Sequence, residues 1–260
     1  MKAADTGEPV KVEKLEHSAI WRVCLDRPKA NLVDRAMVAS LTEVFLAARQ
    51  EPDLKAICIE GGGPNFSYGA SIEEHLPDKV GAMLADFHEL FRVMAGTPVT
   101  LLAAVRGFCL GGGLELASFC HRIFAEPGAK LGQPEIKLGV FAPVGSLLLA
   151  ERMGRAAAED LCLSGRMISA ECALELGLVD ELVPDPGAVA LDWAREHLLP
   201  HSAAGLRHAT RALRASFHRT FLHDLEEVER IYLEDLMTTQ DAEEGIRSYM
   251  EKRSPSWRNA

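Results

Sequence analysis

The sequence predicts an α/β fold, and two observations carry that reading. Short apolar runs (Ala19–Leu25, Leu54–Glu60, Thr100–Val105, Arg122–Ala125) alternate with segments of helical period between residues 10 and 185. That alternation builds strand–helix units around a sheet. After Pro184–Asp185–Pro186–Gly187 the strand signal stops, and residues 187–252 read as consecutive helices. A chain of 260 residues, 48% of them hydrophobic, is long enough for one sizeable core, or a core plus a small appendage.

Taken in order, residues 1–9 are polar and are expected to fray. Val10–Glu16 and Ala19–Leu25 read as two strands around a His17–Ser18 turn, the second ended by Asp26–Arg27–Pro28–Lys29. Asp34 suits an N-cap. Behind it Met37, Val38, Leu41, Val44, Phe45 and Ala48 recur at helical spacing, so that face is buried. Leu54–Glu60 is the next strand, and Gly61–Gly62–Gly63–Pro64 is a turn without assignable chemistry. Asp86–Ala95 reads as a helix with Phe87, Leu90, Phe91 and Met94 on one face, and Thr100–Val105 as the central strand. Ser169 caps a helix running through Leu176, which Gly177 ends. Leu222, Leu225, Val228, Ile231, Tyr232 and Leu236 form one apolar stripe that something must cover.

Composition excludes several classes. A formal net charge of −10 argues against nucleic acid as a partner, which would need a basic face. The six cysteines are scattered through apolar runs without a Cys-x-x-Cys pair, as expected of reduced thiols in a cytoplasmic protein. Met1–Asp5 has no apolar signal core, and no stretch of eighteen apolar residues suits a membrane span. No His/Asp/Glu group has the spacing of a metal site, and no Gly-x-Ser-x-Gly elbow offers a nucleophile.

Three stretches carry chemistry. Arg106–Gly107–Phe108–Cys109–Leu110–Gly111–Gly112–Gly113–Leu114–Glu115 reads as the end of a strand, a glycine turn and a helix start. Unpaired N–H groups at such a helix start favour an oxyanion, and a carboxylate lies in the first turn. Alone, the stretch reads equally as a tight strand–helix junction. Lys130–Leu131–Gly132–Gln133–Pro134–Glu135 adds a second carboxylate in a loop, and Asn65–Phe66–Ser67–Tyr68–Gly69–Ala70–Ser71–Ile72 adds a second glycine turn after a strand. Two N–H donors and two carboxylates suit a thioester enolate, the donors holding its oxygen and the carboxylates moving protons.

In this order the three stretches resemble the crotonase (enoyl-CoA hydratase/isomerase) family, from Leu25–Asp26–Arg27–Pro28–Lys29–Ala30–Asn31 to Glu251–Lys252–Arg253. The resemblance implies a spiral of strand–strand–helix units with two roughly perpendicular sheets. It divides the chain into a core (residues 1–195) and a C-terminal helical region (196–260) that packs into a homotrimer, with two trimers forming a hexamer. It makes the amides of Ala70 and Gly112 the oxyanion donors and Glu115 and Glu135 the catalytic carboxylates. No cofactor is implied, because coenzyme A is part of the substrate. Lys29 and Lys252 are expected at the CoA phosphates. Tyr68, Ser71, Ile72 and Phe141 are expected around the acyl group, and His75 is a weaker candidate.

Relatives that act on straight chains usually carry Gly-Ala-Asp where this chain has Gly69–Ala70–Ser71, and usually an Ile-Pro-Gly-containing run where it has Val140–Phe141–Ala142–Pro143–Val144–Gly145–Ser146–Leu147. Those departures resemble the branch that hydrates cyclohexa-1,5-diene-1-carbonyl-CoA in anaerobic benzoyl-CoA breakdown. A straight-chain enoyl-CoA hydratase and a non-catalytic CoA-binding protein remain as alternatives.

Overall fold

The computed structural model describes residues 7–27 and 30–260. Strands β1 (Val10–Leu15) and β2 (Ile20–Leu25) pair antiparallel. Helix α1 (Arg35–Arg49) follows, capped as expected by the Asp34 carboxylate, which accepts from the Met37 N–H at 2.9 Å. Then come β3 (Ala56–Gly61), α2 (Val80–Ala95) and β4 (Thr100–Val105). The sequence placed the start of α2 at Asp86; it begins at Val80, continuing from a short 3-10 turn, Ile72–His75. Val80, Met83 and Leu84 bury the extra turns.

The glycine-rich stretch is not a simple strand–turn–helix. A short strand, β5 (Phe108–Leu110), intervenes before α3 (Gly112–Phe119). The chain continues through β6 (Arg122–Ala125), β7 (Lys130–Gly132), α4 (Pro143–Met153), α5 (Arg155–Ser164), β8 (Met167–Ser169), α6 (Ala170–Glu175) and β9 (Glu181–Leu182). Ser169 caps α6, accepting from the Cys172 N–H. Three helices complete the chain: α7 (Pro186–His197), α8 (Ala203–Arg230) and α9 (Gln240–Met250).

Two sheets result. The larger has the order β1-β2-β3-β4-β6-β9, and every pair after β1·β2 is parallel. The smaller has the order β5-β7-β8. Alternation along the strands gives the larger sheet two apolar faces. Ile57, Ile59, Leu101, Ala103 and Ile123 turn towards the main core with α1, α2 and α3. Ala56, Cys58, Leu102, Ala104 and Phe124 meet Ala190, Leu191 and Ala194 of α7 on the other face. Because β4 and β5 are adjacent in sequence but belong to different sheets, the chain crosses between sheets at Arg106–Gly107.

The apolar stripe of the C-terminal helices is only partly continuous. Leu225 is buried in the chain's own main core. At Ile231–Asp235 the helix widens into a π turn, which inserts one residue and moves the register. Tyr232, two turns past the buried Leu225 on the same helical face, is buried as the turn opens, while Ile231 faces out.

One side chain ties the first functional loop down. Asn31 is fully buried, with a left-handed backbone (φ 43°). Its Nδ2 reaches the carbonyls of Gly62 (2.9 Å), Asn65 (2.9 Å) and Phe66 (3.1 Å), and its Oδ1 accepts from the Arg27 N–H. Replacing it leaves several buried groups unsatisfied at once. Asn31→Ala is expected to cost about 3 kcal/mol or more, read as a lowered midpoint in urea unfolding.

Candidate active site

The site is assembled by register. Segment 65–69 runs beside β5 like an added strand. The Phe66 N–H donates to the Arg106 carbonyl, Ser67 exchanges N–H and C=O bonds with Phe108 and Leu110, and Ser67 pairs with Cys109 in parallel. Three residues further on, that register sets Ala70 against Gly112. A methyl built on Gly112 would lie 3.3 Å from the Ala70 nitrogen, and one built on Gly69 would lie 3.3 Å from the Gly112 nitrogen. So close a crossing excludes side chains on the inner side. Gly69 (φ 97°) and Gly111 (φ 51°) also adopt the left-handed backbone that favours glycine. The Gly112 N–H opens α3, where no carbonyl one turn back is available to it.

The two carboxylates come from neighbouring strand ends. β5 and β7 pair in parallel, Leu110 opposite Gly132, and the Gly111 N–H donates to the Gly132 carbonyl at 3.0 Å. Glu115 leaves the first turn of α3. Glu135 follows β7, in a 3-10 turn (Pro134–Leu138) rather than the open loop expected, and its Oε1 lies against Gly111.

Glu115 is only 4% exposed, and its Oε1 accepts from the Gly145 N–H at 2.6 Å. It thus sits on the N-terminus of α4, an arrangement that favours its ionised form. Burial and the facing Glu135 charge oppose that and win, so its carboxyl is held well above the usual carboxylate range. Burial also pushes Glu135 up, and its Oε2 is buried without a protein partner.

An apolar wall adjoins the pair. Phe141 and Ile72 are half-buried and pack on the cluster built by Val80, Met83, Val140, Tyr232 and Ile246. Ser71 starts the 3-10 turn that carries Ile72, and its carbonyl bonds the His75 Nδ1 at 2.9 Å, so that ring folds back on its own turn. The Tyr68 ring is 42% exposed and lies on Phe108, with 5.1 Å between centroids. Lys252 is exposed just past α9. Lys29 lies outside the described residues.

Sequence reasoning passed over three contributors. Gly145 presents its N–H to Glu115. A methyl there would lie 2.5 Å from Nε2 of Gln133, whose amide is buried without a protein partner. Tyr232 was placed within a stripe. The signals were slight: a glycine two residues into a helix, and a lone hydroxyl among apolar side chains.

A carboxyl with a raised folded-state pKa binds more protons folded than unfolded. Its contribution to stability is present at low pH and is lost as pH rises from the ordinary carboxylate value through the folded one. Glu135→Gln removes that loss and relieves Glu115 as well. Its melting temperature should exceed the native one by a margin that grows from about pH 5 to about pH 8, by about 2–4 °C per kcal/mol in a chain of this size. A pH-independent margin in thermal scans would contradict the raised values.

Comparison with known proteins gives the family. Residues 16–260 match the family model described as enoyl-CoA hydratase/isomerase. The chain is 46% identical over 256 residues to the cyclohexa-1,5-dienecarbonyl-CoA hydratase of Thauera aromatica, covering 98% of this chain and 99% of that one. It is 36% identical over 244 residues to a probable enoyl-CoA hydratase of Mycobacterium leprae, covering 90% and 93%. A solved enoyl-CoA hydratase/isomerase from Xanthobacter autotrophicus superposes with a TM-score of 0.83 at 28% identity, covering 95% and 98%. The chain belongs to the enoyl-CoA hydratase/isomerase family.

Proposed function

We propose that the protein adds water to cyclohexa-1,5-diene-1-carbonyl-CoA, giving 6-hydroxycyclohex-1-ene-1-carbonyl-CoA. A hydro-lyase acting on an acyl-CoA thioester follows from family membership; the cyclic substrate is the finer step. The observation that carries the chemistry is the pair of buried carboxyls, Glu115 and Glu135, beside the crossing that pairs the Ala70 and Gly112 amides. The ring is supported by the high identity to the Thauera enzyme and by the half-buried Phe141 and Ile72 beside the carboxyls.

Water attacks the ring carbon β to the thioester carbonyl, and charge moves onto the thioester oxygen. The Ala70 and Gly112 N–H groups hold that oxyanion. The resulting dienolate is protonated at the far end of the second double bond, which leaves the remaining double bond conjugated to the thioester. With both carboxyls raised, the pair shares one proton near neutrality. Glu115, held by the Gly145 N–H, and Glu135 act jointly: the ionised member takes a proton from water and the protonated one returns a proton to the dienolate.

The same proposal places the enzyme in the cytoplasm, in anaerobic breakdown of benzoyl-CoA, with Lys29 and Lys252 at the CoA phosphates and Tyr68 and Ser71 towards the acyl group. It assigns residues 196–260 to a homotrimer or hexamer, which would cover faces such as Leu213 of α8, now 82% exposed.

The protein is incubated separately with cyclohexa-1,5-diene-1-carbonyl-CoA and with crotonyl-CoA, and the products are followed by mass spectrometry. Gain of one water on the cyclic diene, with little or no reaction of crotonyl-CoA, is expected. Glu115→Gln and Glu135→Gln should each lower that rate on the order of a hundredfold or more. Hydration of crotonyl-CoA alone would return the enzyme to straight chains, and binding without reaction would make it a CoA-binding protein.

A further inference from the structure

Tyr232 is the one large polar side chain in the apolar cluster beside the carboxyls. It is 1% exposed, and its hydroxyl is buried with no protein partner. A buried phenol normally finds one. Its ring stands edge-on to Phe141, with 5.1 Å between centroids at 60°. Phe141 and Val140 directly follow the turn that carries Glu135, and the Val140 N–H returns to the Glu135 carbonyl at 3.3 Å. The phenol lies within the field of both carboxyls. Burial, then Glu135, then Glu115 push it well above its ordinary value, so it is a neutral O–H donor.

Three further orphaned polar atoms lie in the same region: Oε2 of Glu135, and Nε2 and Oε1 of Gln133, which is 1% exposed. Each is costly to bury alone. Gln133 stands against Gly145, whose N–H holds Glu115. The backbone at Tyr232 is unusual as well. Tyr232 lies within the π turn Ile231–Asp235, and such turns occur often at functional sites.

We infer that Tyr232 is a further catalytic residue, whose hydroxyl, with Oε2 of Glu135 and the Gln133 amide, holds the reacting water in place between the two glutamates. The inference rests on the hydratase reading above and adds a residue to it. Tyr232 gives up no proton in the step. Its O–H donates to the water oxygen, which keeps a lone pair directed at the ring carbon, while the water proton passes to the carboxylate. The hydroxyl thereby fixes which face of the ring is attacked, and it assists ionisation of the carboxylate that shares the water.

Tyr232→Phe keeps the ring on Phe141 and removes only the oxygen. The assay uses whichever thioester the native protein hydrates. The melting temperature should be unchanged or higher, because an unpartnered buried oxygen has gone. KM should stay close to native while kcat falls roughly ten- to a hundredfold. The acid limb of the kcat profile should move to higher pH, since the carboxylate loses a water-mediated donor. Glu135 and Glu115 are the titrating groups whose charges reach the phenol. A purely structural role would leave that limb in place. Native kcat and an unshifted limb in Tyr232→Phe would overturn the inference and leave the hydratase reading standing. A native protein that hydrates neither thioester would instead overturn that reading, and the inference with it.

Discussion

The whole site depends on two backbone segments passing within contact distance of each other. Ala70 can neighbour Gly112 only because Gly69, Gly111 and Gly112 present no side chain to the crossing, and because segment 65–69 is laid along β5 as a strand. Backbone amides positioned this way need no side-chain rotamer to be fixed before they meet a developing charge, which is how preorganised donors act. The cost lies elsewhere. Asn31, itself in a left-handed conformation, is fully buried to hold the carbonyls of Gly62, Asn65 and Phe66. Loop, strand and helix start form one mechanical unit.

Around that crossing the fold stores unfavourable electrostatics. Two carboxyls face each other in a region dry enough to raise both, and the N-terminus of α4 only partly offsets this at Glu115. A chain selected for stability alone would keep neither. Acids and bases that work near neutrality need this displacement, and a pair that shares one proton supplies both forms at once. Among the buried oxygens left without protein partners are Oε2 of Glu135, Oε1 of Gln133 and the Tyr232 hydroxyl. That is where a reacting water and a polarised thioester would complete the hydrogen bonding.

The elements read best from sequence were those whose signal is local. β4 and β6 match the predicted Thr100–Val105 and Arg122–Ala125 residue for residue, because each is an unbroken buried run. The Asp34 and Ser169 caps also fell where their chemistry requires. β5 and β7 were missed, since three residues are too few to show alternation and both adjoin glycines. Their pairing is nevertheless what brings Glu115 and Glu135 together. The two glutamates and the two glycine turns were legible through their order and the family they resemble, whereas their approach in space was not. Tyr232 was legible as a covered position of the apolar stripe, but helical spacing marks burial and not a buried hydroxyl left without a partner. Gly145 and Gln133 owe their roles to long-range packing that spacing does not encode.

The central claim is that Ala70 and Gly112 hold the thioester oxygen while Glu115 and Glu135 address the acyl group. A crystal structure with cyclohexane-1-carbonyl-CoA, a saturated ring thioester that cannot be hydrated, tests it most directly. The carbonyl oxygen is predicted about 3 Å from both amide nitrogens, with the ring lying between the two glutamates and against Phe141. A thioester oxygen held by other groups, or a ring lodged away from Glu115 and Glu135, would contradict it.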